Sequence, residues 1–312
     1  MNSSSTEPSE LSPVLVALRT TFIICLGVLI IAGNLLSIAV TRHVSDLAES
    51  TKVLMITLAV SDLFIGFSTA FGVVASAMDR WPFGRICCQL MPVVQMVVSF
   101  MSVFSVVLLN LERYIAVTRP FKYPIWCSRH RILALVLVFL VLSVFNSISL
   151  QFIFEIPSEY LDSSAVCFLR MTSKYGGVIF LIVLVILPVS IMIRVYHRLI
   201  KISREQARRI DPNRRNANPS FYDNRALKAF LVVTLTLAGC FTPLMLCRSV
   251  ESLAGVALPG WLEFSAVWLV YCNSALNVFI YCLFKQSYRR RAMGIVSKRL
   301  LCCRNSVEPV DI

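Results

Sequence analysis

Residues 273–281 read NSALNVFIY. They lie within Leu262 to Phe284, a run otherwise apolar enough to cross a bilayer, yet they carry two asparagines, a serine and a tyrosine into it. A hydrocarbon core of roughly 30 Å, at about 1.5 Å of rise per residue, needs about 20 mostly apolar residues per helical crossing. The run is long enough to span. Its polar side chains then need partners from elsewhere in the chain, because a polar group left to face lipid alone is costly. Asn273 and Asn277 stand one helical turn apart, so both point to one face.

Six further runs qualify as spans: Val14 to Val40, Val53 to Ala77, Cys88 to Val117, Ile132 to Phe154, Gly176 to Ile193 and Leu227 to Cys247. Of 312 residues 57% are hydrophobic and 15% charged, and the mean hydropathy is +0.75. Soluble domains are about 45–50% apolar and about 25% charged, so the composition is that of a membrane protein. The first run is too long for a signal-peptide core and no small-residue cleavage site follows it; it reads as a retained helix.

Basic residues orient the bundle, since loops rich in Lys and Arg stay cytoplasmic. Six of the 30 (Arg19, Arg80, Arg85, Arg170, Lys174 and Arg248) fall on the side of the amino terminus, leaving 24 on the other. That places residues 1–13 outside as a short tail and residues 285–312 inside, around a transmembrane domain of residues 14–284. The net charge of +13 is a topology signal and a surface facing anionic lipid; no soluble domain is left to bind nucleic acid. The tail holds one glycosylation acceptor, Asn2. After the seventh span, Tyr288, Met293 and Ile295 alternate with Arg289, Arg290 and Arg291 at a helical period, a basic amphipathic helix on the membrane surface. Cys302 and Cys303 beyond it are candidate palmitoylation sites. On the oxidising face, Cys167 has a choice of two partners, Cys87 and Cys88.

Asp62 sits mid-span in LAVSDLFIGF. An ionised Asp at the centre of a lone helix costs about 2.5–3.5 kcal/mol, so it must face the bundle interior. Ser102, Asn273, Ser274 and Asn277 are its candidate partners. Together these oxygens suit a small monovalent cation; the plainer alternative is hydrogen bonding that glues helices together. A second cluster, Glu112 and Arg113 in LNLERYIAV, ends the third span, with Asp223 a further candidate partner for Arg113. Tyr196 and Tyr281 end two other spans on the same side.

These residues together resemble the rhodopsin-like (class A) G-protein-coupled receptors, over roughly residues 14–303. The matches come in order, one per helix or connection: GN with Asn34, LAVSD with Asp62, WPFG followed by Cys88, ERY with Arg113, Pro188 and Tyr196, CFTP with Pro243, and NxxxNVxxY with Asn277 and Tyr281. The resemblance implies an all-helical bundle of seven transmembrane helices, a Cys88–Cys167 disulfide, no enzymatic activity, no cofactor beyond an allosteric sodium ion held by Asp62, Ser102, Asn273, Ser274 and Asn277, and a switch made by Glu112, Arg113, Tyr196, Asp223 and Tyr281. It implies an extracellular small-molecule ligand, a heterotrimeric G protein contacted by Phe121, and arrestin and a receptor kinase as further partners. Three departures stand out: the fourth span has no tryptophan, Phe241 replaces the usual tryptophan of the sixth, and Val278 stands where the family has proline.

The same resemblance implies a ligand pocket lined by Gln95, Met96, Ser99, Phe180, Leu184, Phe241, Leu244, Met245, Arg248, Val267, Trp268 and Tyr271. Trp268 and Tyr271 look like the aromatic pair of monoamine and trace-amine receptors, but the Asp that pairs with an ammonium in those receptors is here Gln95, and a neutral amide cannot form that ion pair. Arg248 either faces the pocket, favouring a small acid, or pairs with Glu251. The expectation is a receptor for a non-classical amine or a small acid, with constitutive or absent G-protein signalling as the runner-up.

Overall fold

A computed structural model of the chain describes residues 12–45, 47–153, 156–170, 174–210, 225–284 and 288–295. Asn2, Asp223, Cys302 and Cys303 lie outside the described residues, as do residues 211–224 of the long basic connection.

Backbone N–H and C=O groups in hydrocarbon must be satisfied within their own segment, so each apolar run becomes a helix. Seven are long and apolar enough to cross a membrane. They are α1 (Pro13–His43), α2 (Glu49–Ala77), α3 (Gly84–Thr118), α4 (Arg129–Ile148), α5 (Gly176–Ile210), α6 (Arg225–Ala254) and α7 (Gly260–Phe284). Most outrun their apolar segments, because helical hydrogen bonding does not stop at the hydrocarbon boundary. Capping marks the first start: Leu15 N–H donates to Ser12 Oγ at 3.4 Å ahead of Pro13, a preferred arrangement for a cap and a first-turn proline. In α5 a wide π turn, Ile182–Ile186, precedes Pro188. Proline lacks the N–H that would reach the Leu184 carbonyl and its ring crowds it, so the extra residue in that turn takes up the misfit.

α1 packs on α2 and α7, closing a ring, while α3 runs through the middle against α2, α4, α5 and α6. The α1–α2 contact is close. A Cβ on Gly27 would fall 2.3 Å from Thr69 Oγ1, and one on Gly66 2.8 Å from Ile31, so only glycine lets these helices approach as small residues do in membrane interfaces. After α7 a short helix, α8, spans residues 288–295. Tyr288 and Ala292 turn inward and are buried, with the Tyr288 ring 6.2 Å from that of Tyr281. Arg289, Arg290 and Arg291 are exposed. Tyr288, read from sequence as part of a lipid-facing stripe, is thus an anchor onto the bundle.

The loop after α4 adds a feature to the helical bundle: an antiparallel hairpin of β1 (Ser158–Leu161) and β2 (Val166–Leu169), with Tyr160 opposite Cys167. Cys167 is bonded to Cys88 of α3, and Cys87 stays a free thiol. The hairpin is tied at further points. Arg19 of α1 is buried and donates to the Asp162 carbonyl at 2.7 Å, to Asp79 Oδ1 at 2.7 Å and to Ser76 Oγ at 2.9 Å. Trp268 Nε1 of α7 donates to the Ser164 carbonyl at 3.1 Å. Ser163 Oγ donates to Glu263 of α7 at 2.5 Å. Burial, with the Asp79 carboxylate nearby, holds the Asp162 carboxyl above the usual range, and the Arg19 charge offsets part of that.

Arg19→Met should remove these bonds and strand Asp79, lowering stability by about 2–4 kcal/mol. The check is the unfolding midpoint of the detergent-solubilised protein, and Arg19→Lys, which lacks the guanidinium fork, should recover only part of the loss.

Candidate functional site

Beneath the hairpin lies a cavity whose empty space, counting the part open to solvent, is about 770 Å³. α3 lines it with Pro92, Gln95, Met96 and Ser99; α5 with Gly177, Phe180 and Leu184; α6 with Phe241, Leu244, Met245 and Arg248. α7 contributes Val267, Val270 and Tyr271, and the hairpin contributes Cys167, Phe168 and Leu169. Among the described residues no acidic side chain lines it. Beside it Ser68 Oγ of α2 donates to Gln95 Oε1 at 3.4 Å, next to the Tyr271 hydroxyl.

The structure therefore brings together every residue of the expected pocket except Trp268. Val267, Val270 and Tyr271 are three and four apart and share a helix face, whereas Trp268 is turned about 100° away from Val267. It is 1% exposed, with its ring 4.6 Å from Tyr271 and 6.1 Å from Phe22 of α1. Its indole N–H bonds the hairpin at the Ser164 carbonyl. Arg248 is both a wall of the cavity and a member of an ion cluster: Nη1 meets Glu251 Oε2 at 2.6 Å, Nη2 meets Glu263 Oε1 at 2.8 Å, and the guanidinium lies 5.0 Å from the Phe168 ring. Sequence reasoning missed Glu263, and it missed Phe168 and Leu169, whose one sequence signal was their place beside Cys167.

Asp62, with no solvent exposure, receives the Asn277 Nδ2 hydrogen bond at 3.0 Å, and the Ser274 hydroxyl faces its carboxylate. Asp62 Oδ1, Ser102 Oγ, Asn273 Oδ1 and Asn277 Oδ1 are buried with no hydrogen-bond partner among the described residues. A carboxylate among hydroxyl and amide oxygens is a hard-donor set that fits a small monovalent cation. Asn34 of α1 joins the cluster, donating through Nδ2 to Ile30 O at 2.9 Å and Ser274 O at 3.2 Å. Ser274 O is also the acceptor that the N–H of Val278 addresses in a regular helix. α7 runs without a break through this point, and Val278 is buried against Gly33 of α1, its Cγ2 3.4 Å from where a Cβ would stand.

At the opposite end Glu112 is buried and its carboxylate accepts from Ser50, from Thr51 at 2.7 and 2.9 Å and from Tyr123 at 2.8 Å. Arg113 reaches Thr51 Oγ1 with Nη2 at 3.2 Å, so Thr51 stands between the two. Tyr196 and Tyr281 are buried nearby. A knot unnoticed in the sequence ties three helices here: Asn110 Nδ2 of α3 lies 3.4 Å from Thr234 Oγ1 of α6 and 3.6 Å from Met192 Sδ of α5. Phe121, in the turn after α3, is 94% exposed.

Residues 33–281 match the family model described as 7 transmembrane receptor (rhodopsin family). The chain is similar to the human histamine H2 receptor, 26% identical over 300 residues, covering 92% of this chain and 81% of that receptor. It is also similar to the mouse trace amine-associated receptor 1, 27% identical over 277 residues with 83% and 82% covered, and to the rat histamine H2 receptor, 29% identical over 285 residues with 88% and 78% covered.

Because Asn34 already serves the Ser274 carbonyl, Val278→Pro should cost less than the ~3 kcal/mol typical of an interior proline. The double variant with Asn34→Ala should cost more than the two singles summed, read from unfolding midpoints in a double-mutant cycle.

Proposed function

The chain belongs to the rhodopsin family of seven-transmembrane receptors, a multi-pass membrane receptor and not an enzyme, and we propose that it binds a small amine-like ligand in the cavity under the hairpin and activates a heterotrimeric G protein at the opposite end. What carries the reading is that the cavity, the buried Asp62 cluster and the Arg113–Tyr196–Tyr281 region occupy successive levels of one bundle, linked through α3, α6 and α7. The basic excess on the G-protein side supports an extracellular amino terminus at the plasma membrane.

The ligand cannot bind as in monoamine receptors, because Gln95 holds the place of the ammonium-pairing Asp. A small acid loses its best anchor as well, since Arg248 is already paired with two carboxylates. That leaves an apolar body filling the space between Phe180, Leu244 and Tyr271, with a neutral polar group meeting Gln95. Activation is population shift: the ligand acts only through its higher affinity for the state in which the Arg113 end is open. In that state Arg113 leaves Thr51 for Tyr196, Tyr281 swings inward, and the exposed Phe121 enters the G protein. Arrestin and a receptor kinase would use the same face. A sodium ion held by Asp62, Ser102, Asn273, Ser274 and Asn277 would favour the closed state, by neutralising the carboxylate in its compact arrangement.

G-protein dissociation measured in cells, across a panel of amines, should respond to at least one member, and Arg113→Ala should abolish the response at equal surface expression. No response in any pathway, and ligand-free signalling unaltered by Arg113→Ala, would overturn the reading in favour of a silent receptor-like protein. Sodium chloride should raise the unfolding midpoint of the purified protein above that in choline chloride, and Asp62→Asn should erase the difference.

A further inference from the structure

The cavity under the hairpin has a neighbour. A second, outer space is lined by Glu159 and Arg170 of the hairpin, Glu251 and Ser252 of α6, the 255–257 turn and Glu263 of α7. The two spaces share three lining residues, Phe168, Leu169 and Arg248. The Arg248 side chain, 11% exposed, thus forms part of the wall between them. The hairpin cannot readily lift to admit a ligand, because the disulfide and the bonds from Arg19, Trp268 and Glu263 tie it to α3, α1 and α7. A side chain rearranges far more easily than so many ties break together.

We infer that Arg248 is a gate that sets ligand charge: it opens by releasing Glu263 while keeping Glu251, and Glu263 with the Phe168 ring then takes the ligand's cationic group, so that the charged end of the ligand stays at the mouth and its apolar body enters the inner cavity. The asymmetry lies in the helices. Glu251 is on the same helix as Arg248, three residues on, and travels with it; Glu263 belongs to α7 and is held by Ser163. Charge accounts for the selectivity. The closed cluster sets two carboxylates against one guanidinium, and the neighbouring Glu159–Arg170 pair, 3.0 Å apart, is neutral. The mouth therefore carries one excess negative charge that a monocation cancels and an anion aggravates, and field focused in such a cleft changes entry rates by ten- to a thousandfold, in order of magnitude. The aromatic face offers the displaced or entering cation a second site. This deepens the amine-like reading above and rests on the inner cavity being the ligand site.

The test needs neither ligand nor G protein. Ser99→Cys places a thiol on the inner cavity wall in the full-length receptor in intact cells. Its thiolate attacks the sulfenyl sulfur of a methanethiosulfonate, expelling sulfinate and forming a mixed disulfide. Rates are compared for the trimethylammonioethyl and sulfonatoethyl reagents, normalised to a free thiol, with the parent chain giving the background of its own cysteines. The cationic reagent should react at least about tenfold faster; adding Glu263→Gln should remove most of that preference, and adding Arg248→Gln, which opens the wall and adds to the negative excess, should speed the cationic reagent further. Equal rates for the two charges, a preference untouched by Glu263→Gln, or labelling that is unchanged or absent with Arg248→Gln would each overturn the gate. A receptor that signals normally yet labels without charge preference overturns the gate alone, and one that labels as expected yet never couples overturns only the signalling reading.

Discussion

Asn277 of α7 donates a hydrogen bond to Asp62 of α2 at 3.0 Å, in a place with no solvent exposure. A carboxylate there must be answered by the protein or by a bound cation, because hydrocarbon answers nothing. That demand draws Asn277 and Ser274 of α7 to the carboxylate, and Asn34 from α1 follows through the Ser274 carbonyl. Three helices, α1, α2 and α7, are thus registered along their axes around one buried carboxyl group. The register in turn puts Tyr271 of α7 under the hairpin and Tyr281 at the other end.

The two ends are built differently. The hairpin end is fastened by a covalent bond and by charge-assisted hydrogen bonds from Arg19 and to Glu263, which favours a preformed cavity. The other end is held mainly by hydroxyl contacts to Glu112 and by the long Asn110 bonds to Thr234 and Met192. The long Asn110 contacts are individually worth little, about 1 kcal/mol net, whereas the hydroxyl bonds to the buried Glu112 carboxylate are charge-assisted and worth about 1.5–3 kcal/mol each.

Much of this was legible in the residues. Seven apolar runs became seven helices, since length and hydropathy leave the backbone no other choice in lipid. The polar residues inside those runs read correctly as inward-facing, and eleven of the twelve expected pocket residues line one cavity. Trp268 did not, although it neighbours Val267: the rotation of α7, set by its packing on α1 and the hairpin, decides which of two adjacent residues sees the cavity. Arg19, counted from sequence only among the basic residues on the amino-terminal side, proved a buried clamp. Tyr288 read as a lipid-facing residue and proved an anchor, because α8 lies against α7.

By itself the sequence determined where the chain crosses the membrane and that Asp62 and the asparagines of NSALNVFIY had to face inward. These follow from local composition and from the expense of a lone polar group in hydrocarbon. Only the tertiary structure decided that Arg248 joins Glu263 as well as Glu251, that the hairpin closes the cavity from above, and that Thr51 stands between Glu112 and Arg113. Those pairings join residues far apart in the chain, and no periodicity within one helix specifies which side chain a neighbouring helix will present to it.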